Sequence, residues 1–102
     1  MAKGFGLGDV FKIQEKVKQV QEELAARRVE ASSGGGMVKV TANANQEILE
    51  IHIDPEVVDP TDVDMLEDLV LAAVNEARER AREIMMQEMS KLTGGMSLPG
   101  LF

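Results

Sequence analysis

Apolar residues recur at two different periods along the chain, and the change of period divides the chain into three parts. In residues 10–28 they step by three and four, which is typical of a helix with one apolar seam. The seam consists of Val10, Ile13, Val17, Val20 and Leu24. We expect it to pack against the core of the domain or against a second copy of the chain.

Residues 34–60 change to a period of two, which predicts β-strands. Residues 43–46 interrupt the pattern, and glycines and Asp-Pro pairs bound it. Its two apolar faces are Val38, Val40 and Ala42 in the first run and Leu49, Ile51 and Ile53 in the second. We therefore expect an antiparallel pair with one buried and one exposed face. Residues 27–33 are ambiguous, because they could continue the first helix or form a short strand.

A second long helix is predicted from Asp59-Pro60 to the residues before Gly94-Gly95. Asp59 suits the N-cap and Pro60 the first helical position. About 32 helical residues would extend ~48 Å at 1.5 Å per residue. A compact domain of this size has a radius of gyration of only about 13 Å. The helix should therefore extend beyond its own core.

The extension leaves apolar residues without cover from a single copy. Burying one such side chain is worth ~1.5–3 kcal/mol, and a domain is stable by only ~5–15 kcal/mol. We therefore expect a symmetric homodimer, with interface candidates Val38, Val40, Leu49, Ile51, Ile84, Met85 and Met89. Alternatively, Met85, Met86 and Met89 form an adaptable surface for another protein. The glycine-containing ends, residues 1–8 and 94–102, are expected to be flexible.

Composition narrows the class of protein. The length of 102 residues indicates one domain. The chain has no cysteine and one histidine, His52, so we expect no metal site. Gly34, Gly35 and Gly36 lack the lysine and hydroxyl residue of a phosphate-binding loop. We expect a non-enzymatic protein without a cofactor. No run reaches the ~20 apolar residues of a membrane span, so we expect a cytoplasmic location.

The net charge of −7 is unevenly distributed. Residues 1–40 carry seven bases and five acids, and residues 77–102 carry four bases and three acids. Residues 41–76 carry ten acids and no base. An acidic total disfavours nonspecific attraction to polyphosphate. Helix ends that project more than a Debye length, ~8 Å at physiological salt, from the acidic centre could still attract phosphate.

Four segments together resemble the YbaB/EbfC family of bacterial nucleoid-associated proteins. They are GFGLGDVFKIQEKVKQVQEEL, GGGMVKVTANANQEILEIHIDPEVV, DMLEDLVLAAVNEA and the Gly-Gly-Met-x-Leu-Pro-Gly tail. The resemblance covers essentially the whole chain. One departure is Asn43-Ala44-Asn45, where many members have Asn-Gly, so the hairpin turn is expected to differ.

This resemblance implies an α+β fold of the order α-β-β-β-α, in which a three-stranded antiparallel sheet lies between two long helices and residues 27–33 form the first strand. It also implies a homodimer with projecting helical arms that binds double-stranded DNA in the nucleoid. We expect low sequence specificity, because no base-reading motif is present. The candidate DNA-binding residues are Lys12, Lys16, Lys18, Arg27, Arg28, Arg78 and Arg82.

Two alternatives remain open at the level of sequence. Arg78 and Arg82 alternate with glutamates, a pattern that is common on solvated helix faces. The acidic centre and the methionine-rich arm are also consistent with an acidic dimeric adaptor that binds another protein rather than DNA.

Overall fold

The computed structural model describes residues 6–92, and the two ends expected to be flexible lie largely outside this range. The elements are α1 (Leu7–Ala26), β1 (Arg28–Ser33), β2 (Val38–Asn43), β3 (Ile48–Ile53) and α2 (Val63–Leu92). The predicted α-β-β-β-α order is confirmed, and the ambiguous residues 27–33 contain β1. Residues 7 and 8 belong to the first turn of α1.

The three strands form one antiparallel sheet with β2 in the centre. Val40 lies opposite Ala31 of β1 and Ile51 of β3. The pairing of β2 with β3 shifts between Thr41 and Ala42, so that Ile48 lies opposite Ala42. Leu49 is the extra residue of this bulge. The prediction that Leu49, Ile51 and Ile53 alternate regularly is therefore wrong at Leu49, where a bulge interrupts the strand.

Helix α2 covers one face of β1 and β2. Ala73, Ala77 and Ala81 of α2 recur every four residues, and each has no exposed surface. Such small side chains let the helix approach the sheet closely. Val38 and Val40 are also fully buried in this core. Their proposed role at a dimer interface is therefore wrong, because the helix of their own chain already covers them.

Two side chains on either side of β3 organise the turns. The buried Asn43 Oδ1 accepts hydrogen bonds from the Asn45 and Glu47 amides at 3.0 and 3.1 Å. After β3, Asp59 Oδ1 accepts hydrogen bonds from the Thr61 amide and hydroxyl. These bonds hold the pKa of Asp59 below its usual value.

The start of α2 differs from the prediction. Asp59 and Pro60 form a turn, and the helix begins at Val63. Asp62 Oδ1 accepts a hydrogen bond from the Met65 amide at 3.3 Å. Asp62 therefore caps the helix in place of Asp59, since a cap side chain accepts from an amide two or three positions ahead.

Helix α1 leaves the sheet instead of packing along it. Leu24 is its buried residue, and the Leu24 carbonyl accepts a hydrogen bond from the Ala44 amide at 3.0 Å. Farther from the sheet, Ile13 is 50% exposed although it belongs to the apolar seam. The chain is accordingly elongated, with extents of 71 × 23 × 16 Å and a radius of gyration of 19.2 Å.

Candidate nucleic-acid interface

Three of the predicted DNA-binding residues are lysines of α1. Lys12, Lys16 and Lys18 are exposed, and none forms an ion pair with a described residue. Glu15 lies three residues from both Lys12 and Lys18, but it forms an ion pair with neither. The three ammonium groups are therefore available to an external anion.

Arg27 is occupied by a contact that joins the two helices. Its Nη1 atom lies 3.0 Å from Glu88 Oε1, and Lys91 Nζ lies 3.4 Å from the same oxygen. The Glu88 side chain is only 13% exposed. This arrangement places the C-terminal end of α1 beside the last third of α2. Arg27 therefore links the C-terminal end of α1 to α2.

The arginines of α2 differ in their surroundings. Arg82 Nη1 lies 3.3 Å from Glu79 Oε1. Arg80 contacts Glu76 at 2.8 Å and donates to the Glu30 carbonyl oxygen of β1. Both agree with the solvated-face interpretation of this segment. Arg78 is exposed and has no ion-pair partner among residues 6–92.

The face of the sheet opposite α2 forms a shallow polar depression. Its lining consists of Arg28, Val29, Glu30, Lys39, Thr41, Glu50 and His52. Arg28 and Lys39 form no ion pair with a described residue. Lys39 lies opposite His52 in the strand register. Lys39 is absent from the predicted site, although the alternation of β2 already placed it on the exposed face.

The acidic and basic parts of the chain lie far apart along α2. Asp64 lies in the first turn of the helix, and Glu88 contacts Arg27 near the other end. Their separation of 24 residues corresponds to about 36 Å at 1.5 Å per residue. This distance exceeds the Debye length of ~8 Å several times. The acids of residues 54–68 therefore repel an anion at α1 only weakly.

A second exposed surface is apolar. The β3–α2 groove is lined by Ile53, Leu66, Glu67, Val70, Leu71 and Val74. Leu71 of α2 is 59% exposed, and Ile51 of β3 is 45% exposed. Both side chains lie beside the part of β3 that α2 does not cover. The interface candidate Leu49 is also exposed at 44%, whereas Ile84, Met85 and Met89 are half-buried.

The sequence and the fold place the chain among known proteins. The profile of the YbaB/EbfC DNA-binding family matches residues 6–96. The chain belongs to this family. Nucleoid-associated protein TTE0040 of Caldanaerobacter subterraneus subsp. tengcongensis is 52% identical to it over 103 residues, covering 97% of this chain and 93% of that protein. A nucleoid-associated protein of Moorella thermoacetica is 58% identical over 102 residues, with 93% and 98% covered.

A solved structure shares the α-β-β-β-α fold. Protein HP0035 of Helicobacter pylori superimposes with a TM-score of 0.77 at 22% identity, covering 85% of this chain and 91% of that one. At this identity the likeness concerns the fold alone. Among the described helices, none is long and apolar enough to cross a bilayer. Within residues 6–92, no group of three or more acidic, histidine or cysteine residues is placed to hold a metal ion.

Proposed function

We propose that two copies of this chain form a homodimer that binds double-stranded DNA in the nucleoid, with low sequence specificity, through the lysines of α1. The observation that carries the DNA contact is the set of unpaired ammonium groups of Lys12, Lys16 and Lys18 on a projecting helix. Lysine side chains contact phosphates, and phosphate contacts position a protein without reading sequence.

The exposed apolar residues beside β3 support the homodimer. Leu71 and Ile51 belong to a surface of apolar side chains that a single copy leaves in water. Covering each would contribute up to about 1.5–3 kcal/mol. A second copy offers the same surface, so a two-fold axis lets the two surfaces cover one another.

The test of DNA binding is a fluorescence-anisotropy titration with duplex DNA over a range of salt concentrations. Each phosphate contact contributes about −0.9 to the slope of log affinity against log salt. Six lysines in a dimer therefore give a slope near −5 if all of them engage phosphate. Replacing Lys12, Lys16 and Lys18 together by Ala should remove most of this slope.

Two variants serve as controls for this titration. The triple replacement of the same lysines by Arg keeps the charges, so its slope should stay near that of the unmodified chain. Arg82→Ala removes a base that is already paired with Glu79, so its effect should be small. An unchanged slope in the triple Ala variant would contradict the assignment to α1.

The alternative function is an acidic dimeric adaptor that binds another protein. The observation in its favour is the exposed acidic segment of residues 54–68, distant from the lysines of α1. The same titration separates the two proposals. A stable dimer that fails to associate with DNA even at low salt would support the adaptor and exclude the DNA-binding proposal.

A further inference from the structure

The β3–α2 groove carries two opposite charges at matching distances from its centre. Glu67 lines one end of the groove. Arg78 follows Val74 by four residues, so it lies on the same side of α2 just beyond the other end. Glu67 and Arg78 are eleven residues apart, which is close to three helical turns, or about 16 Å. Neither side chain has an ion-pair partner among the described residues.

The two apolar side chains between these charges have the same centre. Leu71 and Val74 are centred between positions 72 and 73, and so are Glu67 and Arg78. When two identical helices pack antiparallel about a two-fold axis at this point, Leu71 of each meets Val74 of the other. The same operation brings Glu67 of each copy opposite Arg78 of the other. The groove of one copy therefore matches the groove of the other, with apolar side chains opposite apolar ones and each acid opposite a base.

We propose that α2 pairs antiparallel with α2 of a second copy across the β3–α2 groove, and that Glu67 and Arg78 form two equivalent ion pairs between the copies. The inference rests on the homodimer proposed above and specifies its register. Leu71, 59% exposed in the single chain, lies at the centre of this interface. Charge pairs at the rim of an apolar contact select its register and partner.

Other occupants of the groove suit it less well. The terminal segment 93–102 follows Leu92, which lies 21 residues, or about 31 Å, along α2 from Leu71. Ten residues span at most ~33–36 Å when fully extended. Only the last residues of this segment could therefore reach the groove at Leu71. Residues 1–5 precede the start of α1, and that start is the end of the helix farthest along the chain from the sheet. DNA is unsuited to an apolar groove with an acid at one end.

The proposal gives Arg78 a different role from the lysines of α1. Arg78 was a candidate DNA-binding residue, but here its guanidinium contacts a carboxylate of the second copy. Its removal should weaken DNA binding only by weakening the dimer. The absence of an ion pair for Arg78 within the chain follows from the same arrangement, whereas Arg80, Arg82 and Lys91 have intramolecular partners.

Charge reversal in the full-length chain tests the register. Sedimentation equilibrium should show that Arg78→Glu and Glu67→Arg each raise the dimer dissociation constant by about tenfold or more, because symmetry converts both ion pairs into like-charge contacts. An equimolar mixture of the two variants should form mixed dimers, and the chain carrying both changes should regain the original dissociation constant. Native mass spectrometry identifies the mixed species. Glu83→Arg, on another side of α2, is the matched control, and thermal melting by circular dichroism checks folding of each variant.

The possible results separate the register from the homodimer. An unmodified chain that stays monomeric at micromolar concentration overturns the homodimer and this inference together. A dimer whose dissociation constant is unchanged by either reversal overturns the register alone. Weakened single variants that neither mixing nor the double change restores also overturn it.

DNA binding by the doubly changed chain tests the role of Arg78. An unchanged salt slope supports its place at the interface. A restored dimer with a slope reduced by about 2, one phosphate contact from each copy, overturns that assignment.

Discussion

The guanidinium of Arg27 lies 3.0 Å from the carboxylate of Glu88, across 61 residues of sequence. This ion pair joins the last residues of α1 to α2 and sets the direction in which α1 leaves the sheet. Lys91 approaches the same carboxylate from the next turn of α2. The position of the proposed DNA-binding lysines therefore depends on Glu88.

Glu88→Gln should loosen α1 while leaving the sheet intact. The change removes both ion pairs of a side chain that is 13% exposed, and we expect a loss of about 1 kcal/mol in the free energy of unfolding. Hydrogen exchange should accelerate at amides of α1 more than at those of β2. Glu83→Gln, which removes an unpaired carboxylate from the same helix, should leave both measurements unchanged. Equal exchange in the two variants would mean that Glu88 does not hold α1.

Ala77→Leu should destabilise the domain strongly. Ala77 has no exposed surface and faces the sheet in the core, so a larger side chain must push α2 away from the strands. Overpacking of this kind costs ~1–3 kcal/mol. Ala72→Leu adds the same side chain at an exposed position of α2 and should change stability by less than ~0.5 kcal/mol. Urea denaturation measures both, and similar midpoints would contradict the close contact between α2 and the sheet.

Asn43→Ala should unfold the turn that connects β2 to β3. Asn43 is 3% exposed, and its side chain accepts two amide hydrogen bonds and donates a third to Glu47 at 2.8 Å. Leaving a buried donor without an acceptor costs ~1–3 kcal/mol, and these partly buried amides should reach the lower part of that range. Asn45→Ala removes one hydrogen bond to the Gln21 carbonyl at an exposed site and should cost less. The thermal melting temperatures rank the two, and a lower value for Asn45→Ala would reverse this account.

The secondary structure was largely predictable because it depends on local periodicity. The seam from Val10 to Leu24 and the alternation around Val38 and Val40 each identify one element. The bulge at Leu49 was missed, since an extra residue in a strand shows only when its partner strand is placed beside it. The cap at Asp62 was missed because three aspartates, Asp59, Asp62 and Asp64, give similar sequence signals near the start of α2.

The candidate site was less predictable, since charge pairing depends on contacts between distant residues. The sequence identified Lys12, Lys16 and Lys18 as bases on a helix, but it could not tell that Glu15 leaves two of them unpaired. It also grouped Arg27 with these lysines, because the ion-pair partner of Arg27, Glu88, lies 61 residues away in the chain and could not be recognised from local sequence. Lys39 carried a usable signal, its position on the exposed face of β2.

The spacing of side chains along the sequence determined both helices and the strands β2 and β3, because that spacing follows directly from backbone geometry. It left β1 open, and the family resemblance implied that strand. Only the tertiary structure decided which of the apolar faces are covered. Helix α2 lies over β1 and β2, which buries Val38 and Val40 and leaves Ile51 exposed. The physical reason is that one helix covers about two strands, since strands lie ~4.7–4.9 Å apart and a helix is ~10–12 Å wide.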